Sequence, residues 1–269
     1  MRIGSGQFVS IPKRERSVED FKIELAGIPI GIQCRFEINK RFLKDYITEK
    51  EPLFCIAPTD EDLLRSQEDN RRQDKADGHP FYERSEASLE NTAIHRLLAE
   101  KLTEYSVLLM HGSALSLDGE GYLFTAPSGT GKSTHARLWR EAFGDRVVMI
   151  NDDKPMLRIR NDGVFVYGTP WDGKHDLSCN TSAPLRAIVS LNRGETNRIE
   201  PMRKADAFPI LIRQAFASKD PKIMTRIVAM EQQILEQVRF YELFCNMEPD
   251  AARTAYEGMK KETTQKGRR

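Results

Sequence analysis

The sequence predicts an α+β protein: a mixed, largely antiparallel sheet carrying a phosphate-loop core, with a smaller α/β region ahead of it. Three observations carry this expectation. Asp118-Gly119-Glu120-Gly121 and Asn161-Asp162-Gly163 are turn signals between apolar runs, so the strands flanking each should run antiparallel. A glycine-rich loop, Ser128–Thr134, lies between an apolar strand and an amphipathic helix. Further helices repeat apolar residues at helical spacing. The hairpins resist a purely parallel βαβ array.

In chain order, residues 19–37 read as a hairpin, because apolar residues alternate on both sides of Gly27–Pro29. A short helix is expected at 39–48 and a short strand at Pro52–Ala57. Thr59, followed by Asp60, Glu61 and Asp62, marks a helix start. That helix should fray into a solvated, mixed-charge loop by Glu86. Ile94, Leu97, Leu98, Leu102 and Tyr105 place an amphipathic helix over 88–105, leading into a buried strand at Ser106–Met110. Leu115–Thr125 forms two strand ends around the first turn signal. Strands follow at Arg146–Ile150, in a hairpin over Met156–Tyr167, and at Leu185–Leu191. Helices are expected at 204–217 and 221–236, a strand at Val238–Cys245, and a last helix at 249–260 with Pro249 in its first turn. These elements divide into an N-terminal region over 1–104, a core over 105–260 and a disordered tail over 261–269.

Bulk properties narrow the function. Forty-one Lys and Arg face forty Asp and Glu, a net charge of +1, so the footprint of a general nucleic-acid binder is missing. No apolar run reaches the roughly 18 residues of a membrane span. The start MRIGSGQFVSIPKRER lacks the apolar stretch of a secretory signal. Cys34, Cys55, Cys179 and Cys245 are scattered and form no CxxC pair, which argues against a zinc site or disulfide framework. A cytoplasmic protein with neither nucleic acid nor membrane as partner is the expectation. The helices at 88–105 and 221–236 offer faces for a homo-oligomer.

The strongest functional signal is Ala126-Pro-Ser-Gly-Thr-Gly-Lys-Ser133, which fits [A/G]-x4-G-K-[S/T]. Gly129 and Gly131 lack a Cβ, so the backbone can curl around a phosphate. The amides from about Gly129 to Thr134, with Thr130 between the glycines, then form an anion nest, and the following helix adds partial positive charge. Ser128 opens the nest. Lys132 would contact the β- and γ-phosphates, and the Ser133 hydroxyl would ligate Mg²⁺. ATP and Mg²⁺ are therefore the expected cofactors. His135, just inside the helix, reads as a packing residue.

Val147-Val-Met-Ile-Asn-Asp-Asp153 supplies the second element, an apolar strand ending in two carboxylates. Ligand sites in such sheets lie at that edge. Were strand geometry to persist, Asp152 and Asp153 would face opposite sides, one toward metal and one toward an acceptor hydroxyl.

The stretch His111-Gly-Ser-Ala…Asp118-Gly…Ser128-Gly-Thr-Gly-Lys-Ser…Asp152-Asp153 resembles HPr kinase/phosphorylase, over about residues 105–250. It is similar more distantly to ATP-dependent phosphoenolpyruvate carboxykinase. The resemblance implies a mixed-sheet fold and phosphoryl transfer from a nucleotide to a serine-type hydroxyl of a small molecule, peptide or protein. It also implies roles: His111 as an active-site partner, Asp152 as proton acceptor, Lys132 on phosphate, Ser133 and Asp153 on metal. Two departures stand out. The glycine-rich segment with a metal-binding Glu, and the later Pro-Gly-Arg-Asn, are replaced by Tyr167-Gly-Thr-Pro-Trp-Asp-Gly-Lys-His-Asp176. The first 100 residues also differ, so the acceptor should differ. In the new loop Lys174 could bring a cation to the transferring phosphoryl, Asp172 or Asp176 could meet metal or an amine, and Trp171 could be a pocket wall or an apolar plug. Asn197-Arg198 reads as a surface pair, with reach to an acidic acceptor group as the alternative. A regulatory nucleotide-binding module without turnover, or a phosphorylase using phosphate or pyrophosphate, are the competing readings.

Overall fold

A computed structural model describes residues 19–76, 78–173 and 176–266. The N-terminal region opens with the expected hairpin, β1 (Glu19–Leu25) and β2 (Ile28–Cys34), and β3 (Phe54–Ile56) adds parallel to β2. A short helix α1 (Glu37–Phe42) and a single 3₁₀ turn stand where one helix over 39–48 was expected. In α2 (Asp60–Ala76) Thr59 and Asp62 form a reciprocal cap: the Thr59 amide donates to the Asp62 carboxylate at 2.9 Å and the Asp62 amide to the Thr59 hydroxyl at 3.2 Å. Ser85 caps α3 (Glu86–Leu102) through the Ser88 amide. Ile94, Leu98 and Leu102 of α3 pack onto β1–β3 and onto Val107 and Met156. The apolar face of α3 is thus used inside the chain.

The core is one curled nine-stranded sheet. It contains β4 (Val107–Leu109), β5 (Ser113–Leu117), β6 (Glu120–Thr125), β7 (Val147–Asn151), β8 (Met156–Arg160), β9 (Gly163–Tyr167), β10 (Ser182–Arg193), β11 (Arg198–Pro201) and β12 (Arg239–Cys245). The strand path is β4-β8-β9-β10-β6-β5-β7, with β12 joining β10 and β11 joining β12. The predicted hairpins β5–β6 and β8–β9 are antiparallel. Only β6–β10 and β10–β12 pair parallel within this sheet. β11 was not anticipated; its four residues, Arg-Ile-Glu-Pro, are too short to declare a period.

Helices cover both faces. On one side α5 (Lys204–Gln214) and α6 (Pro221–Gln237) bury Leu211, Ile227, Met230 and Ile234 against Leu123, Ile150 and Ile188. The apolar face of α6 is likewise occupied. On the other side α4 (Lys132–Phe143) and α7 (Asp250–Lys266) bury Trp139 and Tyr256 against Tyr122, Phe124 and Val189. Trp139 is fully buried within ring-contact distance of Tyr122, Phe124, Phe143 and Tyr256. This aromatic cluster seats the helix that begins at the phosphate loop. α7 runs past 260 into residues expected to be disordered, since no Gly or Pro interrupts the chain between Met259 and Gly267. Among the described residues, no helix is long and apolar enough to cross a membrane.

Candidate active site

The loop at the C-terminal end of β6 takes a conformation only glycine accepts easily. Gly129 has φ +74° and Gly131 φ +123°, and nothing lies within 4 Å of where a Cβ would stand on either. The glycines are needed for their backbone angles and the concavity is open. Gly131 is the N-cap of α4 and no side chain caps that end. The amides of Lys132, Ser133 and Thr134 are therefore the first-turn donors that lack intrahelical partners. Among the described residues, two side-chain contacts hold the loop. The Lys132 ammonium donates to the Ala126 carbonyl at 2.9 Å, and the Arg193 guanidinium to the Gly129 carbonyl at 2.6 Å. Burial pushes the Lys132 pKa below the usual lysine value, Lys154 adds to this, and Asp153 and Asp152 oppose it.

The acidic pair arrives from β7, but not as an extended strand. β7 ends at Asn151, whose side-chain oxygen accepts from the amides of Asp153 (2.9 Å) and Lys154 (2.6 Å). This bend replaces strand geometry, so the expectation of opposite faces does not hold: both carboxylates border one cavity. Asn151 is fully buried, and its amide donates to the Thr169 carbonyl and to Thr169 Oγ1.

Asp152 is buried. Ser113 Oγ donates to its Oδ1 at 2.7 Å, and its own amide donates to Asp172 Oδ1 at 2.9 Å. Asp153 Oδ1 lies 3.0 Å from His111 Nδ1 and 3.8 Å from the Lys154 ammonium. Burial alone would raise the Asp153 pKa, but the His111 hydrogen bond and the charges of Lys154, His111 and Lys132 outweigh it, and the carboxyl sits below its usual range. Lys154 Nζ also lies 3.2 Å from His111 Nδ1. That nitrogen can donate to Asp153 or accept from Lys154, not both at once.

His111, Ser128, Gly129, Gly131, Lys132, Ser133, Thr134, Asp152 and Asp153 surround this one cavity of about 660 Å³. Thr130 sits in the same loop, its amide donating to the Pro127 carbonyl at 3.2 Å. Lys174, a further candidate, lies outside the described residues. Asp172 borders the cavity but its oxygens are engaged: Oδ1 accepts from the amides of Asp152 and Gly173, Oδ2 from those of Leu177 and Ser178. It ties Gly173, Leu177 and Ser178 to the end of β7. Trp171 is the plug rather than a wall of this cavity. Its ring packs on His95 at 4.4 Å and Phe42 at 6.0 Å, and its Nε1 donates to Asn91 at 2.8 Å.

His135 is a packing residue. It is buried, accepts from Trp139 Nε1 at 2.9 Å, and burial pushes its pKa down to about 3. Asn197 and Arg198 are engaged within their own corner of the fold: Asn197 accepts from the Asn246 amide and the Arg198 guanidinium lies over the Phe244 ring. Sequence reasoning missed Ser113, Asn151, Lys154, Thr169 and Arg193. An Asn directly before the acidic pair was a legible turn signal. The others act across the fold and left no local trace.

With this geometry in view, the comparisons with known proteins place the chain. Residues 80–249, more than half of it, match the family described as SynChlorMet cassette protein ScmC. The chain belongs to the ScmC family. No curated protein matches it. A solved structure, the Hpr(Ser) kinase/phosphatase from Coxiella burnetii, aligns over 48 % of this ScmC-family chain and 91 % of its own length, at 12 % identity. Its TM-score is 0.27, a superposition too loose to carry an argument about activity.

Proposed function

We propose that this chain is an ATP- and Mg²⁺-dependent phosphotransferase that moves the γ-phosphoryl group to a serine-type hydroxyl. One observation supports this above the rest. An uncapped helix start, a half-buried lysine and two carboxylates on a single bend all border one cavity. Each feature alone has a structural explanation; together they match what phosphoryl transfer requires, which is positioning and charge stabilisation.

The residues fit a magnesium nucleotide. Ser133 and Asp153 offer oxygen donors beside the phosphate cradle, and Mg²⁺ characteristically takes one or two carboxylates together with phosphate oxygens. When bound, the cation would neutralise charge on the β- and γ-oxygens. Lys132 and the first-turn amides of α4 would hold those phosphates. Asp153, kept ionised by its cationic neighbours, suits the metal side. Asp152, whose side chain is hydrogen-bonded among the described residues to the Ser113 hydroxyl alone, suits the acceptor side. The acceptor oxygen would bond to the γ-phosphorus, the bond to the β-γ bridging oxygen would break, and the acceptor proton would pass to Asp152.

The γ-phosphoryl end would lie beside Asp152 and His111, which border the same cavity.

Asp152→Asn separates the readings. For a kinase, nucleotide affinity stays within a few-fold while transfer fails. A regulatory module shows affinity in both proteins and turnover in neither. Replacing ATP by phosphate or pyrophosphate in the same assay detects a phosphorylase.

A further inference from the structure

Beyond His111 the site continues into a second cavity of about 870 Å³, and His111 and Ser128 line both. Its walls come from both parts of the chain. The N-terminal region brings Gln73 and His79 from the end of α2 and the turn after it, and His95 from α3. The core brings Lys154, the start of the phosphate loop, and the C-terminal end of α5 with Arg213.

The chemistry of this lining is one-sided. Among the described residues its ionisable side chains are His79, His95, His111, Lys154 and Arg213, and no described carboxylate lines it. The Arg213 guanidinium is exposed and makes no ion pair or hydrogen bond among the described residues. Most of the other surface arginines described are paired, as Arg146 is with Asp118 and Arg160 with Asp162. His95 Nε2 is buried without a hydrogen-bond partner among the described residues, its ring packed at a tilt against Trp171. Burial, with Lys154 beside it, pushes its pKa down to about 3, Asp153 opposing, so the ring is neutral at physiological pH. Leu109, Met110 and Phe216 give the same cavity an apolar floor.

We propose that this cavity is the acceptor site and that it takes a hydroxyl compound bearing a carboxylate and an apolar body, with Arg213 reading the carboxylate. A guanidinium fork matches a carboxylate bidentately, and Lys154 adds a second cation on the same wall. The hydroxyl would then point toward His111 and Ser128, where the two cavities meet. The transfer direction rests on the kinase reading; the binding chemistry does not.

The test is calorimetric titration of the full chain with N-benzoyl-L-serine and with N-benzoyl-L-serinamide, which differ only in the carboxylate. The carboxylate should bind about tenfold more tightly or better, the scale of a charge-assisted pair. Arg213→Gln should erase the preference and Arg213→Lys retain part of it, with unchanged melting temperatures showing that both variants fold. Equal binding of the two probes, no binding of either at millimolar concentration, or a preference that survives in Arg213→Gln overturns the proposal. ATP affinity, titrated separately on the unaltered chain, judges the kinase reading. Absence of ATP binding with carboxylate preference intact would sink that reading and leave the anion site standing.

Discussion

The Ser113 hydroxyl donates to Asp152 Oδ1 at 2.7 Å, joining the first residue of β5 to the bend after β7. Both groups are buried, so this single bond sets where the carboxylate sits and which oxygen stays available. Ser113→Ala leaves the carboxylate short of one donor, a loss of about 1–3 kcal/mol in a buried site. Transfer should fall roughly tenfold or more while ATP affinity holds. Steady-state kinetics beside nucleotide titration checks this; a parallel loss of affinity would mean that Asp152 holds nucleotide rather than acceptor.

Lys132 and Arg193 should separate in the same titration. Lys132→Ala removes a cation from the phosphate cradle and should weaken ATP binding roughly tenfold to a hundredfold. Arg193→Ala removes only the clasp on the Gly129 carbonyl, and should weaken ATP several-fold. Unchanged turnover in Lys132→Ala would end the phosphate-loop assignment.

Asp172 accepts four main-chain amides, so Asp172→Asn replaces one acceptor oxygen by a donor and breaks about half of that set. The expected cost is about 2 kcal/mol of stability. Hydrogen exchange should quicken at the amides of Asp152, Gly173, Leu177 and Ser178. Protected amides in the variant would show the loop is held by something else.

Trp139→Ala should cost about 3–5 kcal/mol, because the ring is fully buried among four aromatic neighbours. Urea unfolding measures it. A loss under about 1 kcal/mol would mean that α4 is seated by other contacts.

Glu231 gives a pH signature. It is buried in α6 with Oε2 unpartnered, and burial raises its pKa from 4.5 to about 7. Between these values the unfolded chain has lost the proton while the folded chain keeps it, so this group's contribution to stability falls as pH rises from about 4.5 to 7. Glu231→Gln should therefore stabilise at pH 8, by on the order of 3 kcal/mol at most, and the advantage should vanish near pH 4. Buried His95 and His135 tilt total stability the other way in acid, so the difference between the two proteins is the quantity to follow.

Much of this arrangement was legible residue by residue. Turn pairs such as Asp118-Gly119 dictate positive φ and hence hairpins, and the two did form antiparallel pairs. The glycines and lysine of the loop announced an anion cradle because few other needs call for that spacing. What stayed hidden depends on distance in the fold. Arg193 ends a strand like any surface arginine until β10 pairs with β6 and carries it to Gly129. Lys154 looks like an ordinary solvated lysine until the Asn151 bend turns it toward His111. Trp171 could equally have lined a pocket, and only the placement of α3 decides that it does not.

The parallel pairing of β6 with β10 has a consequence for biogenesis. Tyr122 meets Ala187 only after the acidic bend, a hairpin and the 168–178 loop have been synthesised between them. Closing so long a segment is entropically slow. A ribosome-bound chain would thus expose a glycine loop on an unpaired β6 edge until β10 emerges, and stalled or truncated products ending before Ser182 should capture no nucleotide even with the whole glycine-lysine signature in place.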